Sequence, residues 1–218
     1  MVSGKRGVSA KGGVNAKTAI KELKAIGKFA PKNMRLAADW SKPWQVLIST
    51  ILSAQNRDEK TIEICDILFK KYNTIEKLAS ASLRDIERVI HSINYYKTKA
   101  RHIKETAKII SNKYNGEIPR TIGGLLELPG VGRKTANVYL AVVHKEQVIG
   151  VDTHVARLSQ KLGWTTNKVR ERIEKDLERL FPKEYRRNIN YTLVRFGRKF
   201  GKSRKSEDAL IKEIKEAI

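Results

Sequence analysis

From Ala19 onward the chain reads as one amphipathic helical segment after another, and this pattern constrains the fold more than any other feature. The stretch "WQVLISTILSAQ" (44–55) is apolar enough to be a buried helix. Next comes "EKTIEICDILFKKY", with Asp58 placed to cap it and Ile62, Cys65, Ile67 and Leu68 on one inward arc. "LRDIERVIHSI" (83–93), "KARHIKETAKIISNKY" (99–114), "HVARLSQKLG", "NKVRERIEKDLERLF" and "YRRNINYTLVRFGRKF" repeat the pattern. In "SEDALIKEIKEAI", Ser206 is the expected N-cap and two acids fall in the first turn, as helix ends favour. Breakers such as "NGEIP" (115–119) keep the connections short. Only "QVIGV" (147–151) carries a strand signal, so the expected fold class is all-α.

A chain of 218 residues fits one large domain or two small lobes. Its longest apolar runs, such as "VIGV" and "YLAVV", are far too short to span a bilayer, so no membrane association is expected. The charge is decisive for the class of partner. With 45 Lys and Arg against 23 Asp and Glu, the net charge of +22 suits a polyanion, most often nucleic acid, without saying which kind. Residues 1–16 hold Lys5, Arg6 and Lys11, no acid and much Gly and Ser, which predicts a flexible basic N-terminal arm. The arm has neither the amphipathic arginines of an organelle presequence nor the apolar core of a secretory signal. The one cysteine, Cys65, makes no internal disulfide and no four-cysteine metal site. Its apolar surroundings predict a small core residue rather than a catalytic thiol.

One short stretch conflicts with ordinary helix electrostatics. In "LPGVGRKTANV" (128–138) a glycine-rich loop leads into a helix whose first turn carries Arg133 and Lys134. A helix N-terminus is already partly positive, so cations there are unfavourable unless an anion sits in front of them. Gly130 and Gly132 allow a tight turn and close approach of a phosphate. The helical "TIGGLLEL" before the loop completes a helix, hairpin, helix pattern that can grip a nucleic-acid backbone. An ordinary helix–helix turn is the competing reading.

These residues resemble the helix–hairpin–helix of the DNA glycosylase superfamily that includes endonuclease III. Two further segments agree in order and spacing: "LSAQNRD" (52–58) upstream and "IGVDTHVARL" (149–158) downstream. "WSKPWQVLISTILSAQ", "INYYKTKA" and "NGEIPRTIGGLLELPGVG" follow the same order, so the resemblance covers roughly residues 35–200. It implies two helical lobes around a DNA-binding cleft: residues 36–146 with the hairpin, and residues 17–35 plus 147–218.

The resemblance also implies roles. Lys134 matches the nucleophile of the bifunctional glycosylases; among cations at a helix start an ammonium gives up its proton more readily, and the neutral amine attacks carbon. Asp152 matches the aspartate that faces the lysine, where a carboxylate suits an oxocarbenium-like sugar; it could equally be the N-cap of "DTHVARL". Gln55 is implied to enter the duplex and fill the space of an extruded nucleotide, an amide being able to donate to and accept from the orphaned base. Tyr95, beside Tyr96, occupies the region of an apolar wedge, where leucine is common in the family and core packing competes as an explanation. Leu128, Gly130, Val131, Gly132 and Arg133 of the hairpin, and Thr153, are the other implied DNA contacts. His154 has no metal-ligand spacing around it and is assigned no chemistry beyond support of Asp152.

The C-terminus departs from the family. Many endonuclease III relatives carry four cysteines there for a [4Fe–4S] cluster, and "FGRKFGKSRKSEDALIKEIKEAI" has none. No cluster is therefore expected, and a monovalent cation at the hairpin is the one ion the resemblance allows. The final helix is expected to take the cluster's place by packing. Arg195, Arg198, Lys199, Lys202, Arg204 and Lys205 are expected to keep a phosphate-facing surface. The implied function is base excision repair: removal of damaged, oxidised pyrimidines from duplex DNA through a lysine Schiff base and β-elimination. The partner is double-stranded DNA with a damaged base or abasic site. A monomer inside the cell is implied, with the DNA in the nucleoid of a prokaryote or the nucleus of a eukaryote. Uracil or mismatched-thymine specificity, action on abasic sites alone, and a non-catalytic damage-binding module stay open. An RNA-binding protein is disfavoured because no RNA-reading motif is present.

Overall fold

The computed structural model describes residues 13–201 and 203–218, which contain helices and no strand. The expected basic arm falls, up to residue 12, outside the described residues. In order the helices are α1 (Ala16–Phe29), α2 (Pro43–Ser53), α3 (Asp58–Lys71), α4 (Ile75–Ser80), α5 (Leu83–Ile90) and α6 (Tyr96–Lys113). They continue with α7 (Ile122–Leu126), α8 (Arg133–Val143), α9 (Thr153–Leu162), α10 (Arg170–Leu180), α11 (Lys183–Phe200) and α12 (Arg204–Glu216). The chain divides into two compact units, Arg35–Glu146 on one side and Met1–Met34 with Gln147–Ile218 on the other.

In the unit Arg35–Glu146, α2 is the central rod. Val46, Leu47, Ile48, Ile51 and Leu52 are all buried, and so are Ser49 and Thr50. Those two hydroxyls return to the carbonyl of Val46 at 3.1 and 2.6 Å, so a helix buried on nearly every side leaves neither unsatisfied. Helices α3, α6 and α8 pack around it. In α3 the inward arc is Ile64, Cys65, Leu68 and Phe69, whereas Ile67, expected inside, is 51% exposed. Position 67 lies next to Asp66, whose carboxylate faces Arg35 at 3.3 Å. Asp58 is also not the N-cap: Arg57 is, and the Asp58 carboxylate accepts from the backbone N–H of Ala37 at 3.1 Å.

In the unit built from the chain ends, α1 turns Ala19, Leu23 and Ile26 inward at helical spacing. They join Trp164, Phe181, Phe196 and the apolar faces of α9 to α12 in one core. The one strand candidate, 147–151, forms no strand. Ile149 and Val151 enter this core, and the carbonyl of Gly150 accepts from the Asn190 side chain at 2.6 Å, which occupies the place of a partner strand. Helix α12 starts before Ser206. Ser203 caps it, accepting from the N–H of Ser206 at 3.3 Å.

Candidate active site

The hairpin joins α7 to α8. Thr121 caps α7 through the N–H of Gly124 at 3.2 Å, and Leu128 and Val131 turn inward with 2% and 7% exposure. What these two residues offer a ligand is therefore their backbone. The loop is held from α6, where the Thr106 hydroxyl donates to the carbonyl of Pro129 at 2.9 Å. Gly130 has φ +79, and a Cβ there would meet His102 Nδ1 at 2.9 Å and Ile51 Cγ2 at 3.0 Å. The turn requires glycine on both counts. At Gly132 a Cβ would meet nothing within 4 Å. Gly132 is the N-cap of α8 and has no side chain with which to cap it. The space before the first turn is open, the turn contains no acid, and Arg133 is exposed beside it. Lys134 is half-buried, and no described residue pairs with its Nζ. Helix dipole, open N-cap and adjacent cations favour an anion at this end.

Gln55 and Tyr95 lie in the same unit, and both are exposed. Both are also left-handed, with φ 55 and φ 59. That conformation costs a non-glycine residue about 1–2 kcal/mol, and such residues persist only where the surroundings enforce them. The enforcing residues were not apparent in the sequence. Asn94 donates from Nδ2 to the carbonyl of Gln55 at 2.7 Å, and its N–H donates to Asn56 Oδ1 at 3.0 Å. Asn56 Nδ2 donates to the carbonyls of Leu52 at 3.0 Å and Ala54 at 3.1 Å. Lys99 Nζ reaches the same two carbonyls at 2.8 and 2.5 Å. Lys99 is only 7% exposed, and burial pushes its ammonium down to about 8. A clue was available: Lys99 lies on the arc of Ala100, Ile103, Ala107 and Ile110, the buried face of α6.

The unit built from the chain ends holds Asp152, Thr153 and His154. Asp152 is the N-cap of α9, and its Oδ1 accepts from the N–H of Val155 at 2.8 Å. No described residue holds Oδ2, so one carboxylate oxygen is spent on the cap and the other is available. Thr153 is exposed in the first turn of α9. His154 packs against α11 at Gly197, where a Cβ would meet its ring. Lys134 and Asp152 thus belong to different units.

The C-terminal segment does not fit an iron–sulfur cluster. The one cysteine, Cys65, is buried in α3, where desolvation pushes its thiol up, and no group of His, Cys, Asp and Glu among the described residues could hold a metal. Helix α12 presents Glu207, wholly buried, to Arg157 and Lys161 of α9. The expected basic surface is partly engaged elsewhere. Arg195 donates to the carbonyl of Met34 at 3.2 Å and lies 5.0 Å from the Tyr191 ring, and Lys199 lies over Phe200. Lys202 falls outside the described residues.

Comparison with known proteins identifies the family and the fold. Residues 48–183 match the HhH-GPD superfamily base excision DNA repair protein family. Endonuclease III of Thermotoga maritima is 41% identical over 184 residues, covering 84% of each chain. Endonuclease III of Synechocystis is 40% identical over 170 residues, covering 77% of each. Among solved structures, a non-covalent endonuclease III–DNA complex matches with a TM-score of 0.81 and 34% identity, over 88% of this chain and 89% of that one. A trapped endonuclease III–DNA covalent intermediate matches with a TM-score of 0.80 at the same identity.

Proposed function

The chain belongs to the HhH-GPD superfamily of base excision DNA repair proteins, and we propose that Lys134 and Asp152 carry out its chemistry on damaged duplex DNA. It is a DNA glycosylase with AP lyase activity, of the endonuclease III type. The substrate we infer is an oxidised pyrimidine. The hairpin backbone and Arg133 grip the phosphates beside the lesion, and the nucleotide leaves the stack. Lys134 Nζ attacks C1′ and the bond from C1′ to the base breaks. The C1′–O4′ bond then opens, O4′ taking a proton as the amine becomes a protonated imine. The imine acidifies the C2′ proton, and its loss expels the 3′ phosphate, cutting the strand. Asp152 stabilises the positive sugar through Oδ2 and passes protons, while Oδ1 stays on the N–H of Val155. The observation that supports this reading best is the unpaired amine of Lys134 in the first turn of α8, directly behind the open glycine N-cap.

Borohydride trapping on duplex DNA with an abasic site tests it. A covalent protein–DNA adduct is expected. Tight duplex binding with no adduct would leave a monofunctional glycosylase or a binding module, and release of a base without strand cutting would separate those two. Asp152→Asn isolates the second role, because asparagine caps a helix as well as aspartate does. Single-turnover base release is expected to fall by about 10²- to 10³-fold, the size of loss when one preorganised electrostatic group is removed. The thermal melting curve is expected to stay in place. Wild-type release by this variant would reduce Asp152 to a cap.

We propose further that the enzyme works without an iron–sulfur cluster, since a cluster needs thiolates that this chain does not carry. Protein purified anaerobically is expected to contain no stoichiometric iron. Four irons per chain would refute this.

A further inference from the structure

The hydrogen bonds around residues 52–56 and 94–99 form a closed device whose two exposed products are Gln55 and Tyr95. Leu52 and Ala54 carbonyls each accept from both Lys99 Nζ and Asn56 Nδ2. These are carbonyls at the C-terminal end of α2, where a cation is favourable to the helix dipole and donors are needed. Asn56 Oδ1 accepts from the N–H of Asn94, and Asn94 Nδ2 donates to the carbonyl of Gln55. The carbonyls of Leu52, Ala54 and Gln55 are thereby tied either to the turn that carries Tyr95 or to the first turn of α6, and that of Ser53 accepts locally from the N–H of Asn56. A lysine charge buried to 7% exposure is an expensive donor for this task, and an exposed serine or water could satisfy the carbonyls more cheaply. The arrangement makes sense if rigidity at Gln55 is what matters.

We propose that Lys99 is a positioning residue that, with Asn56 and Asn94, locks Gln55 and Tyr95 into a single preformed wedge for opening the DNA stack. This rests on the reading that Gln55 and Tyr95 enter the duplex. Prying a nucleotide out costs unstacking and unpairing, and a wedge that had to be ordered at the same moment would add its own entropy to that cost. A wedge fixed beforehand spends binding energy only on the DNA. The two residues act together because the side chain of Asn94, the neighbour of Tyr95, holds the Gln55 carbonyl.

The test uses Lys99→Met and Asn94→Ala. The second alters an exposed side chain and leaves the core alone, so it carries the test should Lys99→Met fail to fold. Insertion is read by 2-aminopurine fluorescence opposite an abasic-site analogue in duplex DNA. Strand cutting is measured on a natural abasic site in duplex and in single-stranded DNA, where no stack has to be opened. Both variants are expected to lose the fluorescence change, and their cutting is expected to fall at least tenfold further on duplex than on the single strand. A merely structural loss would lower both substrates alike. A wild-type fluorescence change and a wild-type duplex-to-single-strand ratio in the folded variants would overturn the proposal. Gln55→Ala and Tyr95→Ala separate the layers. If both keep the fluorescence change, the wedge reading itself falls, and the proposal with it. If they lose it while Lys99→Met and Asn94→Ala keep it, the positioning role alone is overturned.

Discussion

Lys134→Gln is expected to lower strand cutting at an abasic site by about 10⁴-fold or more, the scale on which removing a covalent nucleophile acts. An amide nitrogen has no lone pair free to form an imine, so borohydride trapping should vanish with it. Binding should not. Lys134 is one of two cations at the start of α8, and Arg133, the open N-cap of Gly132 and the helix dipole all remain. Losing one cation near the backbone weakens duplex binding by less than about tenfold at physiological salt and lowers the salt slope by about one. Folding should be indifferent as well, because no described residue depends on the Lys134 ammonium and glutamine is nearly as good a helix former. Single-turnover cutting, trapping and a salt titration of binding, run together, separate nucleophile from phosphate clamp. Undiminished cutting would remove Lys134 from the mechanism. Cutting and binding lost in equal measure would make it a clamp.

The parts of the site that could be read from the sequence are those written in contiguous residues. The hairpin is one such stretch. Gly130 is forced by φ and the close approach of His102, whereas at Gly132 a Cβ would meet nothing and the glycine simply leaves the N-cap of α8 without a side chain. The order of helices was equally legible, because apolar spacing is local. What the sequence hid depends on partners far along the chain. Lys99 reads as one more cation in a basic stretch until the carbonyls of Leu52 and Ala54, more than forty residues earlier, are brought to it. Glu207 reads as a first-turn acid suited to a helix start, yet its partners are Arg157 and Lys161. Caps shifted for a related reason. Ser206 was the expected cap of α12, but the helix begins one turn earlier at Ser203 and buries Glu207 and Ile211. Segment 147–151 has the composition of a strand, but the described residues hold no second strand to pair with it, and Asn190 donates to the carbonyl of Gly150 instead.

Glu207→Gln is expected to destabilise the protein by about 2–3 kcal/mol at neutral pH. Removing one member of a buried ion pair typically costs about 3–5 kcal/mol, because the other charges are left uncompensated. Here Arg157 and Lys161 keep 34% and 27% of their side-chain surface exposed and can turn to water, which places the loss toward the lower end. Burial by itself would push the Glu207 carboxyl up. The hydrogen bonds and charges of Arg157 and Lys161 together outweigh it and hold the group below its ordinary 4.5. The native state therefore binds fewer protons than the unfolded chain as pH falls through this range. The stabilisation from Glu207 is complete above the ordinary carboxylate value and is lost as pH drops through the lowered one. Urea unfolding at neutral pH should show the full gap between wild type and variant, and the gap should shrink in acid. Equal midpoints at neutral pH would mean that Ile211 and Ile214 hold α12 without help. A gap that persisted unchanged in acid would mean that shape rather than charge anchors it. The distinction separates two ways of fastening α12 to α9: by one buried carboxylate shared between Arg157 and Lys161, or by apolar packing alone.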